Sequence, residues 1–477
     1  MIRSALASVC SLLLLASCAT YEQSPLDPVL AGERFEHRRL DDPKLLAALA
    51  ELDNRNPATS AAASQPDSQP QATTTVGPIW DVERLSRAAL LYNHDLALAY
   101  AHLSTLTAGE ITARESPNPT VAFSPSYATK AEGMNPWTIG WTFDIPIETA
   151  NKRGIRMAHA AALSDAARAQ VAETAWKIRS TVRDALANYL LTTREAELFE
   201  IEVQHRQHYA DLLDARLRAG EASRPDVATA LLDLLNTRQA WRIAQGQVGE
   251  SRARLAAAIG LPVSGLGDAE LRWSNLEELP PISGDDQSRL RTMALENRLD
   301  LHRALLDYAA GEHALELEVA RQYPDLHIGP GYQFDQGQNK WELGASIELP
   351  ILNQNAGAIA EARARRREDA VKVDAIQAAA IADLEAALAR YAAAQLQLAD
   401  VDQQLATDAA QVDSARAALA AGEQDRPTLL SLEVLQDAAR RQRLDALRKA
   451  REARNALEDA IQQPLDASMT VMRTPPL

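Results

Sequence analysis

Cysteine is nearly absent: the 477 residues hold two, Cys10 and Cys18. Cys10 falls in an apolar leader, so a processed chain keeps one thiol and no intramolecular disulfide framework is possible. Aromatics are scarce, at 5% of residues, while alanine abounds. That balance suits long, closely packed helices better than a thick globular core. Basic charge is in deficit, with 49 Lys+Arg against 65 Asp+Glu and a formal net charge of −16. This argues against nucleic acid as a partner, whose phosphates demand a basic surface. Constellations for catalysis or metal binding are missing too. His205 and His208 stand at i, i+3 within a charged stretch, the other histidines are scattered, and no cysteine partner survives processing. Gly109-Glu110 and Gly344 belong to no phosphate-cradling loop. Charged runs such as Glu361–Asp369 read as the solvated face of a helix. The expectation is a protein that is not an enzyme, with no catalytic residue and no metal site.

What the chain does contain is itself, twice. Arg218-Ala-Gly-Glu-Ala-Ser-Arg-Pro225 recurs as Leu419-Ala-Ala-Gly-Glu-Gln-Asp-Arg-Pro427. Each copy ends one long Ala/Leu/Arg-rich stretch and begins another. Gly220 and Gly422 stop the first helix with a residue that tolerates positive φ. Ser223 and Asp425 cap the next helix, whose first turn accepts Pro225 and Pro427. Around these tips the register drifts by only three residues: Pro119 to Pro324 is 205, Pro146 to Pro350 is 204, Gly154 to Gly357 is 203, and Gly220 to Gly422 is 202. A duplication that extends over most of the chain follows.

The N-terminus reads as an export signal. Met1-Ile2-Arg3 is a short basic start, and the apolar core from Ala5 to Leu15 is too short to span a bilayer. Leu15-Ala16-Ser17-Cys18 resembles the lipobox of bacterial lipoproteins. The resemblance implies cleavage after Ser17 and a covalent lipid on Cys18, the one non-protein group expected, and two or more acyl chains suffice for anchoring. Ala19 and Thr20 lack the Asp that retains many lipoproteins at the inner membrane, which favours outer-membrane sorting. Ala58 to Pro78 is rich in Ala, Ser, Gln, Thr and Pro and reads as a tether.

Each repeat then runs helix, two strands, helix, tip, helix. One helix is expected over Asp81–Glu115 and another over Asp286–Gln322. Val121–Tyr127 and Trp137–Ile145 alternate bulky apolar with small or polar residues, as do 326–335 and 341–349. Period 2 over about ten residues with aromatics at the ends is the pattern of a transmembrane barrel strand. Four strands cannot close a barrel and open edges are not tolerated in lipid. Small barrels begin at about eight strands, so the chain must oligomerise, and three copies supply twelve. The helices from Asn151 to Gly220 and Asn353 to Gly422 are on the order of 100 Å long. Those after the tips are about half as long, which leaves room for each pre-strand helix to stack end to end on the post-tip helix.

At this point the residues meet a family. Asn93-His-Asp-Leu96, Pro117-Asn-Pro119, Trp137 with Asp144-Ile-Pro-Ile-Glu-Thr149, Tyr323-Pro-Asp-Leu326, Glu348-Leu-Pro-Ile-Leu352 and the twin Gly-Glu tips resemble the TolC family of outer-membrane efflux factors, from about Trp80 to Pro464. The likeness leans toward lipoprotein members paired with cation- or drug-exporting pumps of the resistance-nodulation-division class. It implies a homotrimer whose twelve-stranded β-barrel, set in outer-membrane lipid, continues into a periplasmic α-helical tunnel. Its tips would dock a periplasmic adaptor (membrane fusion) protein. Carried over by position, Gly220, Glu221, Ser223, Gly422, Glu423 and Asp425 are the docking tips. The family's constricting acidic ring would fall on Thr428 and Ser431 and cannot be carried over, so Asp226 and Glu433 are the alternative gate acids. The expected segments are a signal peptide (1–17), a lipidated segment and linker (18–79), repeat one (80–265), a connector (266–285), repeat two (286–465) and a tail (466–477). The competing reading is a periplasmic adaptor or structural coiled-coil lipoprotein without a channel.

Overall fold

The structure is a computed structural model that describes residues 20–55, 79–129 and 135–465. Cys18, the tether 58–78 and the tail 466–477 lie outside the described residues. Two short helices, α1 (Pro28–Glu36) and α2 (Pro43–Arg55), precede the first repeat. That repeat comprises α3 (Val82–Tyr92), α4 (His94–Arg114), β1 (Thr120–Tyr127), β2 (Trp137–Ile147), α5 (Lys152–Arg218) and α6 (Arg224–Ile259). The second comprises α7 (Gly284–Glu296), α8 (Leu299–Ala320), β3 (Leu326–Asp335), β4 (Gln338–Ile347), α9 (Ala356–Ala420) and α10 (Arg426–Ile461). None of the described helices is long and apolar enough to cross a membrane.

The pre-strand helix is two helices in each repeat, not one. Asn93 leaves the helical region (ψ 129°) and its side chain caps the Asp95 N–H, so α3 ends and α4 begins afresh. Between α7 and α8 the corresponding break falls at Arg298 (ψ 116°), just after Asn297, and has no side-chain cap. The break serves the end-to-end stacking that helix lengths demand. The end of α6 abuts the start of α4: Gly260 (φ +89°) lies so close that a Cβ there would stand 2.8 Å from the Tyr92 carbonyl oxygen. In repeat two, Gln462 Oε1 accepts from the Leu299 N–H at 2.6 Å and Asn297 donates to Gln463 at 3.0 Å. Thus α4 and α6, of 21 and 36 residues, together nearly match the 67-residue α5 beside them.

The strands form one antiparallel sheet in the order β1-β2-β3-β4. β4 starts three residues earlier than expected and ends at Ile347, because the two-residue turn Gln336-Gly337 (φ +50° and +88°) lets Gln338 pair with Asp335 at once. Between β2 and α5 the chain turns through left-handed Ala150 and Asn151, and Asn355 does the same before α9, so that helix begins at Ala356 rather than Asn353.

The main core sits where the helix halves meet. Leu85, Val182, Leu186, Leu255, Ile259 and Trp80 cluster in repeat one, with Leu40, Leu45 and Leu49 from the N-terminal segment. Leu384, Tyr391, Ala450, Leu457 and Ile461 cluster in repeat two. The connector between repeats wraps this level. Tyr391 and Gln395 donate to the carbonyls of Pro280 and Leu279, while Arg451 stacks on Trp273 and donates to the Leu276 and Asn275 carbonyls.

Candidate functional site

The sheet puts its apolar side outward. Trp137, Ile139, Trp141, Phe143, Ile145 and Ile147 of β2 are all exposed, as are Val121, Phe123 and Tyr127 of β1, and Trp341 reaches 82% exposure. A soluble fold buries such a face. In register, Phe123, Trp141, Tyr332 and Trp341 lie opposite one another across all four strands. Phe123 packs on Trp141 with centroids 4.4 Å apart and Tyr332 on Trp341 at 5.0 Å. At the end of the first hairpin Tyr127 and Trp137 pair with centroids 5.0 Å apart, the kind of aromatic a lipid–water boundary selects. The other face is polar and internally bonded. His327 Nδ1 lies 2.9 Å from Asp144, Thr138 donates to Asp335 at 2.9 Å, and Lys340 donates to the other Asp335 oxygen at 2.8 Å. Both outer strands, β1 and β4, keep one edge unpaired.

Below the sheet, a buried Lys152 ties the strand pairs together. It donates to the Tyr323 carbonyl at 2.5 Å and to Asp325 at 2.8 Å, and Asp325 also accepts from the Thr149 N–H at 2.9 Å. Burial alone would raise the Asp325 carboxyl, but the Lys152 and Thr149 bonds prevail and hold it below the ordinary range.

The tips are built as capped turns. Gly220 and Gly422 have φ +80° and +76°. Ser223 and Asp226 form a reciprocal capping box, so Asp226 is engaged as the cap's acid. Asp425 caps Thr428, and its other oxygen accepts from Arg216 of the first hairpin at 3.1 Å, joining the two tips. The Thr428 hydroxyl first, and Arg216 after it, keep the Asp425 carboxyl below its ordinary value. Glu221 and Glu423 stand exposed on the turns. Glu433 lies two turns up α10 and pairs with Arg416 of α9 at 3.1 Å. The two histidines part company: His208 is exposed, while His205 is half-buried with Nδ1 2.5 Å from Asp437 of α10.

That last contact belongs to a feature that the sequence pattern did not single out. The seam between α5 and α10, which joins the two hairpins, holds two buried ionic clusters. In the upper one Arg183, with no exposed surface, donates to Glu458 at 2.9 Å and Asp459 at 2.8 Å, with Arg179 3.6 Å from the same Glu458. Burial pulls the Arg183 pKa down, yet Asp184, Asp459 and Glu458 outweigh it and the net shift is upward. In the lower one Glu202 accepts from Arg206 at 2.8 Å and pairs with Arg441 at 2.9 Å, while Asp437 joins His205 and Arg440. The signal was present in α10, where Asp437, Arg441, Arg448, Arg451, Asn455 and Glu458 recur at steps of three, four and seven residues along one face.

Comparison with known proteins fits this geometry. Residues 85–261 match the family model for outer membrane efflux proteins. The chain is 26% identical over 285 residues to the cobalt-zinc-cadmium resistance protein CzcC of Cupriavidus metallidurans, covering 59% of this chain and 65% of that one. It thus spans somewhat less than two thirds of that relative's length. Among solved structures, CusC superposes with a TM-score of 0.66 at 19% identity over 80% of this chain and 92% of that one. VceC from Vibrio cholerae does so at 0.65 and 18% over 81% and 97%. The fold of these channels is thus shared over four-fifths of the chain, and the sequence match to outer membrane efflux proteins runs from Leu85 to Leu261.

Proposed function

We propose that the protein is the outer-membrane channel component of a tripartite efflux system, a passive exit duct fed from the periplasm. The observation that carries this reading is the sheet: one continuous apolar face open to lipid, a polar face behind it, and two unpaired edges. Unpaired strand edges are not stable in hydrocarbon. Three copies joined edge to edge make a twelve-stranded barrel with Asp144, His327, Asp335 and Glu342 lining a wet lumen. The helical hairpins, about 100 Å long, hang from it and continue the wall into the periplasm. The lipid on Cys18 adds a second hold on the outer membrane.

The duct has no energy source of its own, so an inner-membrane pump of the resistance-nodulation-division class supplies it through a periplasmic adaptor. The tips at Gly220, Glu221, Ser223, Gly422, Glu423 and Asp425 are the adaptor's docking points. They are exposed turns at the far end of the hairpins, and their capping roles leave the Glu221 and Glu423 carboxylates free to face a partner. Asp226 and Glu433 remain the candidate gate acids, just inside the tips. Opening widens that mouth by moving the tips apart, and the Arg216–Asp425 bond is among the contacts that then break. Efflux in a strain lacking its own exit duct tests the whole reading. The wild-type chain should restore resistance to the exported substrate. A chain with both tips replaced by Gly-Ser turns should reach the outer membrane yet restore nothing. Full resistance from the tip-less chain would refute adaptor docking there.

A further inference from the structure

The duplication predicts how copies of the chain meet, since each contact between repeats inside one protomer has a counterpart between protomers. The inference rests on the trimeric duct proposed above and states which faces form its seam. Inside the protomer, α5 meets α10 in a fixed antiparallel register: Arg183 faces Glu458 and Asp459, Glu195 faces Arg448, and His205 faces Asp437. The repeat offset carries α5 onto α9 by 203 residues, as for Gly154 and Gly357, and α10 back onto α6 by 202, as for Gly422 and Gly220. Arg179 and Arg183 thereby become Ala382 and Ala386, Asp459 becomes Ala257, Arg448 and Arg451 become Gly246 and Gly249, and Asp437 becomes Leu235.

The transposed residues behave as one half of an interface. Arg179 and Arg183 are buried, but Ala382, Ala386, Ala389 and Ala393 are exposed along one face of α9. On α6, Leu231 and Leu235 are exposed, the latter at 57%. A Cβ added at Gly246 or Gly249 would meet nothing within 4 Å. Each glycine costs about 1 kcal/mol against alanine in a helix interior, and nothing within the protomer needs the space. The charges agree. Transposition sets Asp400 opposite Arg242, and Asp408, the counterpart of His205, within a turn of Arg238. None of these four has an ion pair among the described residues, and Asp408 Oδ2 is buried with no hydrogen-bond partner there.

We propose that the alanine face of α9 packs on the α6 face of a second copy, with Ala386 opposite the partner's Ala257 and Ala393 beside the partner's Gly249. Toward the tips Asp400 and Asp408 pair with the partner's Arg242 and Arg238. The seams of the tunnel wall then differ in kind. Within a protomer the contact at mid-height is a buried ionic lock. Between protomers the same level is made of alanine and glycine, which brings the helix axes toward the short end of the usual 8–10 Å range.

Cysteine pairing tests the register. In the full-length lipidated chain, Ala386→Cys combined with Ala257→Cys should form intersubunit disulfides on mild oxidation, giving a ladder up to trimer on non-reducing gels. Each single variant should give none. Ala386→Cys with Gly249→Cys, about 12 Å out of register at 1.5 Å per residue, should also give none. A second measurement uses charge: Asp408→Arg should lower the fraction of detergent-stable trimer several-fold, and adding Arg238→Asp should restore it. Trimer-sized particles without the ladder, a ladder from the out-of-register pair, or no rescue by the second charge change would overturn this seam and leave the duct reading standing. Particles of monomer mass would remove both.

Discussion

Replacing Arg183 by Met is the sharpest test of the ionic lock. Its guanidinium is fully buried and bonds Glu458, itself 3% exposed, and Asp459. Deleting one partner of a buried pair costs about 3–5 kcal/mol, because the other charge is left in a poor solvent. Arg179 still lies 3.6 Å from Glu458, which places the loss near the lower end, about 3 kcal/mol. A chain of this length would then lose on the order of 5 °C in apparent melting midpoint. Adding Glu458→Gln removes the stranded charge and should recover more than half of the loss. Arg254→Met supplies the baseline: its pair with Glu250 is solvent-exposed, and such pairs contribute less than about 1 kcal/mol. Thermal unfolding of the detergent-extracted protein, followed by far-ultraviolet circular dichroism, reads all three. An Arg183→Met protein as stable as Arg254→Met would refute the claim that the seam is electrostatically locked.

Other consequences are separable. Lys152→Met should cost about 1–3 kcal/mol by stranding Asp325 and the Tyr323 carbonyl, read as a lower dissociation temperature of the oligomer. Trp141→Arg, on the outward face, should cost about 2–4 kcal/mol and impair membrane assembly, whereas Thr142→Arg on the opposite face should assemble normally; equal assembly of the two would contradict the face assignment. At the tips the folded-state pKa of Asp425 is depressed. Its contribution is therefore present above the ordinary aspartate value of about 3.9 and lost as pH falls through the lower folded value. Protease sensitivity of the tips should rise only below about pH 4, and Asp425→Asn should show the acid behaviour at neutral pH.

Much of this was legible in the residues. The tips announced themselves because glycine, a capping side chain and proline recur at fixed spacing, and local chemistry of that kind needs no partner to be read. The strands were legible because a lipid-facing surface inverts no rule of period 2; it only changes which face is wet. The breaks at Asn93 and Arg298 were harder. Neither position carries proline or glycine, and a capping asparagine inside an apolar-periodic run looks like one more polar position until its side chain is seen on the Asp95 N–H. The α5–α10 lock was missed for a different reason. Arg183 and Glu458 lie 275 residues apart, and a charge on a long helix reads as solvated until the second helix is in place. The lipid on Cys18 rests on the sequence motif, the described residues beginning at Thr20.

The most direct measurement is single-channel conductance of the purified, detergent-extracted protein in a planar bilayer, with particle mass taken on the same sample. The account predicts trimer-sized particles with small, cation-preferring steps, and larger steps once a tip is deleted. A water-soluble monomer without channel activity after removal of the Cys18 lipid would contradict it and favour an adaptor or scaffold.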